Sequence, residues 1–186
     1  MILFVNACVR RESRTKRLAE YVLKKLNGTV KEVNLEKENI SPLNNDRLIY
    51  RTKAASYSDF DDSVFDYAKD FAAADTIVMA APYWDLSFPA SIKCYIEAIN
   101  VVGLTFAYGE TGRSYGLCKA DRLIYVTTAG GPIFNEEAGF GYVRSLAKNF
   151  YDIQDVICIK AENLDLIGAD VEGILQKAER EVDAKI

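Results

Sequence analysis

The chain has no histidine among its 186 residues, and this absence excludes several common forms of catalysis. Without imidazole there is no Ser–His or Cys–His catalytic pair, no histidine general base and no zinc site of the Cys/His type. We therefore expect no metal site. Any chemistry must come from carboxylates, hydroxyls, thiols, backbone amides or a bound cofactor.

Other absences narrow the class of protein further. No stretch approaches the roughly 18 apolar residues of a membrane span, and only four apolar residues separate Met1 from Asn6. The four cysteines form no Cys-x-x-Cys pair, which argues against a dithiol, an iron–sulfur cluster or a zinc knuckle. The net charge of −4 argues against nucleic-acid binding. We expect a cytoplasmic protein with reduced thiols that binds neither membranes nor nucleic acids.

The familiar nucleotide-binding and hydrolase motifs are also missing. The first apolar run is not followed by G-x-G-x-x-G, and the chain has no G-x-x-x-x-G-K-[ST] segment. The segment Gly112-Arg113-Ser114-Tyr115-Gly116 matches G-x-S-x-G, but a nucleophile elbow needs a preceding strand, a following helix and a histidine. We interpret this segment as a turn.

What the sequence does contain is an alternation of short apolar runs and longer helical patterns, typical of α/β domains. Its length suits a single domain over residues 1–186. Five apolar runs are predicted as strands, at residues 2–5, 30–35, 76–81, 123–128 and 156–161. Helices are predicted from Ser13 onward and around residues 64–71, 92–99, 143–150 and 171–182. Residues 104–118 suggest an excursion or small hairpin, and residues 36–60 carry no pattern that assigns them.

Strands that alternate with helices imply a parallel sheet covered by helices on both faces. Right-handed crossovers leave few topologies for five strands, and the order 2-1-3-4-5 is among the commonest. We therefore predict a flavodoxin-like three-layer sandwich with a five-stranded parallel sheet. In this order strands 1 and 3 are neighbours at a switch point, where such sheets bind ligands.

The loop after the first strand, residues 6–15, is a candidate anion site. The hydroxyls of Ser13 and Thr15 and the free backbone amides fall at the positive end of the first helix, with Arg10 close in sequence. Alternatively, Ser13 and Thr15 only cap the helix and the arginine is solvated. The residues alone favour neither interpretation.

Two more loops at the same predicted edge carry residues suited to a planar ligand. The third strand is followed by an aromatic loop, Pro82-Tyr83-Trp84-Asp85-Leu86. The fourth strand ends in Thr128-Ala129-Gly130-Gly131, where glycines let the backbone approach a ligand closely. Separately, the first loop could be an aromatic corner and the second a plain turn. Three such loops at one edge indicate a flavin mononucleotide (FMN) site.

Five segments in order are similar to motifs of one family. The first loop, Cys8 to Thr15, is similar to S-x-R-x-x-S-x-[ST], and the loop 82–86 to P-M-Y-N-F, followed by Lys93-Cys94-Tyr95 where the family has L-K-N-Y/W. Residues 103–108 match G-V/L-T-F-x-Y, and residues 128–131 match [ST]-x-G-G. Residues 161–168 are also similar to a late segment of that family. The chain thus resembles the flavodoxin-like, FMN-dependent NAD(P)H reductases of the NADH–azoreductase and quinone reductase type.

The resemblance implies roles for particular residues. Ser13 and Thr15 would bind the FMN phosphate, in the loop that also holds Cys8 and Arg10. The loop from Pro82 to Leu86 would line the isoalloxazine ring, and the turn from Thr128 to Gly131 would meet its other side. Backbone amides of that turn would stabilise negative charge at the flavin N1–O2 edge, a hypothesis based on preorganised dipoles.

The chain departs from the family pattern at four positions. Cys8 replaces the first hydroxyl of the phosphate motif and is a weaker donor. Trp84 and Asp85 replace the usual Tyr-Asn, and an ionised Asp85 would lower the flavin potential by disfavouring the anionic reduced form. Phe134 stands near the place of a histidine that related enzymes often carry. These departures affect the expected substrate range more than the expected flavin binding.

The resemblance implies a homodimeric oxidoreductase that transfers hydride from NADH or NADPH through FMN to a quinone, azo or similar conjugated acceptor. The cofactor performs the hard chemistry, so no side chain is predicted to be an acid or base. Candidate walls for the acceptor are Phe106, Tyr108, Phe134 and Tyr151, although core packing explains each equally well. The nicotinamide preference is not separable from the sequence.

Two other functions stay open at this point. One is an electron-transfer flavodoxin-like FMN protein without nicotinamide turnover, although such proteins tend to be more acidic and to carry a T-x-T-G-N-T loop that this chain lacks. The other is a relative of the fold that has lost flavin and serves as a binding module.

Overall fold

The computed structural model describes residues 1–38, 40–56 and 60–186. Asn39 and residues 57–59, which belong to the unassigned stretch 36–60, lie outside the described residues. Within the described ranges, none of the helices has both the length and the apolar content that a membrane crossing requires.

The centre of the molecule is a five-stranded parallel sheet. Its strands are Ile2–Asn6 (β1), Val30–Asn34 (β2), Thr76–Ala80 (β3), Arg122–Thr128 (β6) and Asp155–Ala161 (β7). Their order is β2-β1-β3-β6-β7, which confirms the predicted 2-1-3-4-5 arrangement. All five residues of β1 are buried, whereas the edge strand β2 buries only Val33. A continuous apolar run is what a strand between two helical layers requires.

Helices cover both faces of this sheet. They are Arg14–Lys25 (α1), Asn45–Ala55 (α2), Asp66–Ala73 (α3), Ala90–Ile99 (α4), Tyr142–Asn149 (α5) and Val171–Lys185 (α6). Alternate residues of the central strands face opposite layers: Leu3 and Met79 pack in the core with α3, α4 and α5, and Phe4 and Val78 in the core with α1 and α6. The two cores and the sheet between them form the predicted three-layer sandwich.

Helix α2 was not predicted, because the described structure buries none of its residues and its apolar spacing is weak. Two shorter turns also differ from expectation. A 3₁₀ turn, Ser63–Phe65, precedes α3, and a π-helical turn, Glu137–Gly141, precedes α5. The expected start of the first helix is confirmed, with Ser13 as its N-cap.

The excursion at residues 104–118 contains a hairpin, Phe106–Tyr108 (β4) paired antiparallel with Ser114–Gly116 (β5). Gly116 lets this hairpin lie against the backbone of Tyr151, since a Cβ at position 116 would be 2.2 Å from the carbonyl carbon of Tyr151. Ser114 lies in β5 and donates its hydroxyl to the carbonyl oxygen of Asn149 at 2.7 Å. The G-x-S-x-G match is therefore part of a hairpin and forms no nucleophile elbow.

Candidate functional site

The loop between β1 and α1 is fixed by the last residue of the strand. The Asn6 side chain is fully buried, and its Oδ1 accepts a hydrogen bond from the Cys8 amide at 2.9 Å. Ser13 then starts α1, its Oγ accepting from the Lys16 amide at 3.2 Å. The first turn of α1 contains no acidic residue, so no carboxylate on that turn offsets the positive end of the helix. These features suit an anion.

Helix α1 is joined to the end of β6 by two hydroxyls. The side-chain oxygens of Thr15 and Thr128 lie 2.6 Å apart, and both residues are buried. Thr128 therefore serves the architecture of the site as well as its lining. Its carbonyl oxygen also accepts from the Tyr83 amide at 3.0 Å, which extends the pairing of the central strands into the aromatic loop.

The aromatic loop after β3 contains a tight reversal at Trp84–Ser87. Trp84 and Ser87 exchange two backbone hydrogen bonds, at 3.0 and 2.8 Å. The two residues between them have left-handed backbones, with φ of 50° at Asp85 and 65° at Leu86. Two consecutive positive φ angles are typical of a type I′ turn, where glycine or asparagine is usual. Leucine is an uncommon residue there, so Leu86 carries local backbone strain.

The turn after β6 is held by the loop after β7. The carbonyl oxygens of Gly130 and Gly131 accept from the amides of Asp165 and Asn163, at 2.8 and 3.1 Å. A Cβ at Gly130 would lie 2.2 Å from Asp165 Oδ2, whereas the space beside Gly131 is open within 4 Å. Asp165 Oδ1 also accepts from Arg14 Nη1 at 2.5 Å, which links this loop to the start of α1.

These loops together enclose a cavity of about 320 Å³ at the carboxyl edge of the sheet. The predicted site residues that line it are Cys8, Arg10, Ser13, Thr15, Pro82, Tyr83, Trp84, Thr128, Ala129 and Gly130. Asp85, Leu86 and Gly131 belong to the same loops but do not line the cavity. The volume falls within the usual range for small-molecule sites.

Five lining residues were not among the predicted site residues: Val9, Glu12, Arg14, Leu164 and Asp165. For Leu164 and Asp165 a signal was available, because they follow β7, whose carboxyl end lies beside that of β6. The sheet order alone therefore places their loop next to the glycine turn.

Cys8 lies in the wall of the cavity and is only 4 % exposed. Burial raises the pKa of its thiol, an effect that a hydrogen bond with the Ser13 side chain partly opposes. The thiol is therefore neutral near pH 7 and offers a weak donor where the family pattern has a hydroxyl.

The expectation that Phe106 and Tyr151 form acceptor walls is wrong. The two residues are 4 % and 3 % exposed, because each packs in the core: Phe106 against Phe150, with ring centres 4.6 Å apart, and Tyr151 against Phe71, at 4.8 Å. The Tyr151 hydroxyl is also occupied, donating to Asn100 Oδ1 at 2.6 Å. Neither ring has surface to offer a ligand.

Tyr108 and Phe134 are 55 % and 80 % exposed, yet neither lines the cavity. Phe134 belongs to the segment that follows the glycine turn. The Asn135 amide, next to it in the chain, donates to the Tyr83 hydroxyl at 3.4 Å, which connects this segment to the aromatic loop.

Comparison with known proteins agrees with this architecture. A family model described as "Flavodoxin-like fold" matches residues 1–186. The chain is 38 % identical over 188 residues to an FMN-dependent NADH:quinone oxidoreductase 2 of Clostridium acetobutylicum, covering 94 % of this chain and 92 % of that protein. It is 34 % identical over 194 residues to an FMN-dependent NADH:quinone oxidoreductase of Coprothermobacter proteolyticus, with coverages of 98 % and 96 %.

Solved structures give the same assignment. The crystal structure of an azoreductase from Bacillus anthracis superposes with a TM-score of 0.82 at 26 % identity, covering 98 % of this chain and 96 % of that one. The match of the family model extends over the whole sequence, and the relatives are matched over nearly their full length. The chain therefore belongs to the flavodoxin-like family that includes the FMN-dependent NADH:quinone oxidoreductases.

Proposed function

We propose that this protein is an FMN-dependent oxidoreductase that transfers hydride from NADH to a quinone, azo or similar conjugated acceptor. The observation that carries the proposal is the cavity at the β1/β3 switch point, enclosed by the loops that follow β1, β3, β6 and β7. The named activity of the relatives supports the same conclusion. NADPH remains an alternative donor, to be compared with NADH directly.

The cavity fits FMN chemically at both of its ends. At one end, hydroxyls, arginines and a first helical turn without acidic residues are suited to a phosphate dianion. Two carboxylates, Glu12 and Asp165, also line the cavity, and that of Asp165 is paired with Arg14. At the other, Tyr83 and Trp84 offer aromatic faces to a planar ring, and the glycine turn offers backbone. Ser13 and Thr15 would hold the phosphate, with Cys8 and Arg10 in the same loop.

Bound FMN would supply the hydride-transfer chemistry between nicotinamide and acceptor. The protein's own residues would bind the ring, shield its faces from water and place backbone dipoles beside it. Pro82, Tyr83, Trp84, Asp85 and Leu86 would line or border the ring on one side. Thr128, Ala129, Gly130 and Gly131 would border the other, and their amides would stabilise negative charge that develops at the N1–O2 edge. Tyr108 and Phe134 are the exposed aromatic candidates for acceptor contacts.

We further propose a single domain over residues 1–186 that forms a homodimer, acts in the cytoplasm, and binds neither nucleic acids nor membranes. Exposed apolar side chains support the dimer: Leu48, Ile49 and Tyr50 on α2 are 46 %, 59 % and 55 % exposed. Light scattering at micromolar concentration tests it, and a monomer mass would contradict it. The four free cysteines support the cytoplasmic location, and the net negative charge supports the absence of nucleic-acid binding.

The function is tested by anaerobic mixing of the FMN-reconstituted protein with NADH, or with NADPH, followed by a benzoquinone. We expect the visible flavin absorbance to bleach with the nicotinamide and to recover with the quinone. Bound flavin that stays oxidised with both nucleotides would contradict the reductase and favour an electron carrier. Failure to retain FMN would contradict both and leave a binding module.

A further inference from the structure

The segment from Gly130 to Glu136 is supported by side chains that extend from the end of β7. Glu162 Oε1 accepts a hydrogen bond from the Ile133 amide at 2.7 Å. Lys160 Nζ pairs with Glu136 in that segment, and lies 3.3 Å from Glu162 Oε2. The Lys160 ammonium thus bridges two carboxylates, that of Glu136 in the segment and that of Glu162 directly after β7. We call these three residues the carboxylate–lysine network.

The network lies next to the proposed flavin site without forming part of its lining. Lys160 and Glu136 border a second, much smaller cavity of about 10 Å³, just large enough for one water molecule. Tyr83 lines both cavities and so separates the two. Ile133, Asn135 and Glu136 of the segment and Lys160 of β7 therefore share the wall of this small cavity.

The charges of the network are partly shielded from water. The side chains of Lys160, Glu136 and Glu162 are 36 %, 44 % and 27 % exposed. The hydrogen bond to Glu136 raises the pKa of Lys160, so its ammonium stays charged throughout the neutral range. Removal of that ammonium would leave two carboxylates facing each other without a counter-charge, and their repulsion would displace the segment.

We propose that Lys160 is a positioning residue for the flavin reaction: by holding Glu136 and Glu162, it fixes the peptide groups of the Gly130–Ile133 turn beside which FMN binds. This inference rests on the proposed function. It assigns a role to a lysine outside the cavity lining and outside the family motifs. It also gives the turn a second support besides its bonds to Asn163 and Asp165.

The test compares Lys160→Met with a matched control, Lys31→Met. Lys31 pairs with Asp70 at 2.6 Å and lies on the edge strand β2, away from both cavities. The FMN dissociation constant is measured by flavin fluorescence, and the midpoint potential of the bound flavin by dye equilibration. Urea unfolding of the apo proteins shows whether either variant has lost stability.

We expect Lys160→Met to weaken FMN binding about tenfold, because part of the binding free energy would be spent on returning the displaced turn to its position beside the flavin. The midpoint potential should become more negative, because two uncompensated carboxylates disfavour added electron density on the flavin. Lys160→Arg should restore both values, and Lys31→Met should change neither. Glu162→Gln retains an oxygen for the Ile133 amide but loses the charge, so its FMN affinity should fall between those of wild type and Lys160→Met.

An FMN affinity and a potential for Lys160→Met that equal those of Lys31→Met would overturn the inference and leave the proposed function intact. A loss that Lys160→Arg fails to restore would also overturn it, because the role requires only a cation. If Lys160→Met does not fold, Glu162→Gln decides: an FMN affinity and a midpoint potential equal to those of Lys31→Met would overturn the inference. Wild-type protein that binds no FMN would overturn both the inference and the proposed function.

Discussion

The hydroxyl oxygens of Thr15 and Thr128 lie 2.6 Å apart, and this contact joins the start of α1 to the end of β6. It connects the proposed phosphate end of the cavity to the glycine turn at the proposed ring end. One hydrogen bond between buried groups therefore links two walls of the site.

Replacement of Thr15 by valine should destabilise the apo protein by about 1–3 kcal/mol, because the buried Thr128 hydroxyl loses its partner. FMN affinity should also fall, since the substitution removes a hydroxyl from the cavity wall. Urea unfolding and flavin titration measure the two effects separately.

The double variant Thr15→Val, Thr128→Val is the appropriate control. With both hydroxyls absent, neither is left without the other as its partner, so the double variant should lose less unfolding free energy than the sum of the two single losses. Strict additivity of the two losses would contradict an interaction between these hydroxyls.

Cys8 supplies a second prediction. Substitution by serine should strengthen FMN binding several-fold, because a hydroxyl donates a better hydrogen bond to phosphate than a neutral thiol does. Flavin fluorescence titration measures the change, with Cys94→Ser in α4 as the control. An unchanged or weaker affinity for Cys8→Ser would show that the position 8 side chain does not bind the phosphate.

The left-handed backbone of Leu86 gives a third prediction, which concerns both stability and acceptor binding. Its backbone has φ of 65° and its side chain is 54 % exposed, so Leu86→Gly should remove strain while losing little burial. We expect a gain of about 1 kcal/mol in unfolding free energy for Leu86→Gly and none for Leu86→Ala, which keeps a Cβ. Both variants should raise the KM for the acceptor, because the leucine side chain that we propose to border the ring is removed. Equal stabilities of the two variants would remove the strain argument.

The sequence predicted the elements with buried apolar faces and missed those without them. The central strands are continuous apolar runs, so their existence and order were accessible. Helix α2 buries no residue in the described structure, so its sequence carries no helical stripe. Likewise, Phe106 and Tyr151 could not be distinguished from exposed aromatics, because aromatic side chains serve cores and binding sites alike.

The sequence allowed each loop of the site to be predicted separately, but not the side-chain contacts between the loops. The Ser13 cap and the glycine turn follow from local residue types. The Arg14–Asp165 pair joins residues 151 positions apart, and only the folded sheet brings their loops together. The carboxylate–lysine network depends in the same way on the packing of one loop over the end of another strand.

The half-buried thiols of Cys118 and Cys158 give a prediction about pH. Burial raises the pKa of Cys118 and of Cys158 to about 12, since a thiolate is poorly solvated in the interior. Only the thiolate reacts with iodoacetamide, so in the folded protein the labelling rate of both residues should rise about tenfold per pH unit between pH 8 and 10, without a plateau. Mass spectrometry of labelled peptides measures each rate.

The urea-unfolded chain is the control for this profile, because its thiols should approach a plateau above their ordinary pKa of about 8.5. The same difference has a consequence for stability. The unfolded thiols ionise at lower pH than the folded ones. The contribution of the neutral thiols to the free energy of unfolding is therefore complete below about pH 8.5 and is lost as the pH rises toward 12. Labelling of the native protein that levels off near pH 9 would contradict both statements, because it would place the folded thiols at their solution pKa.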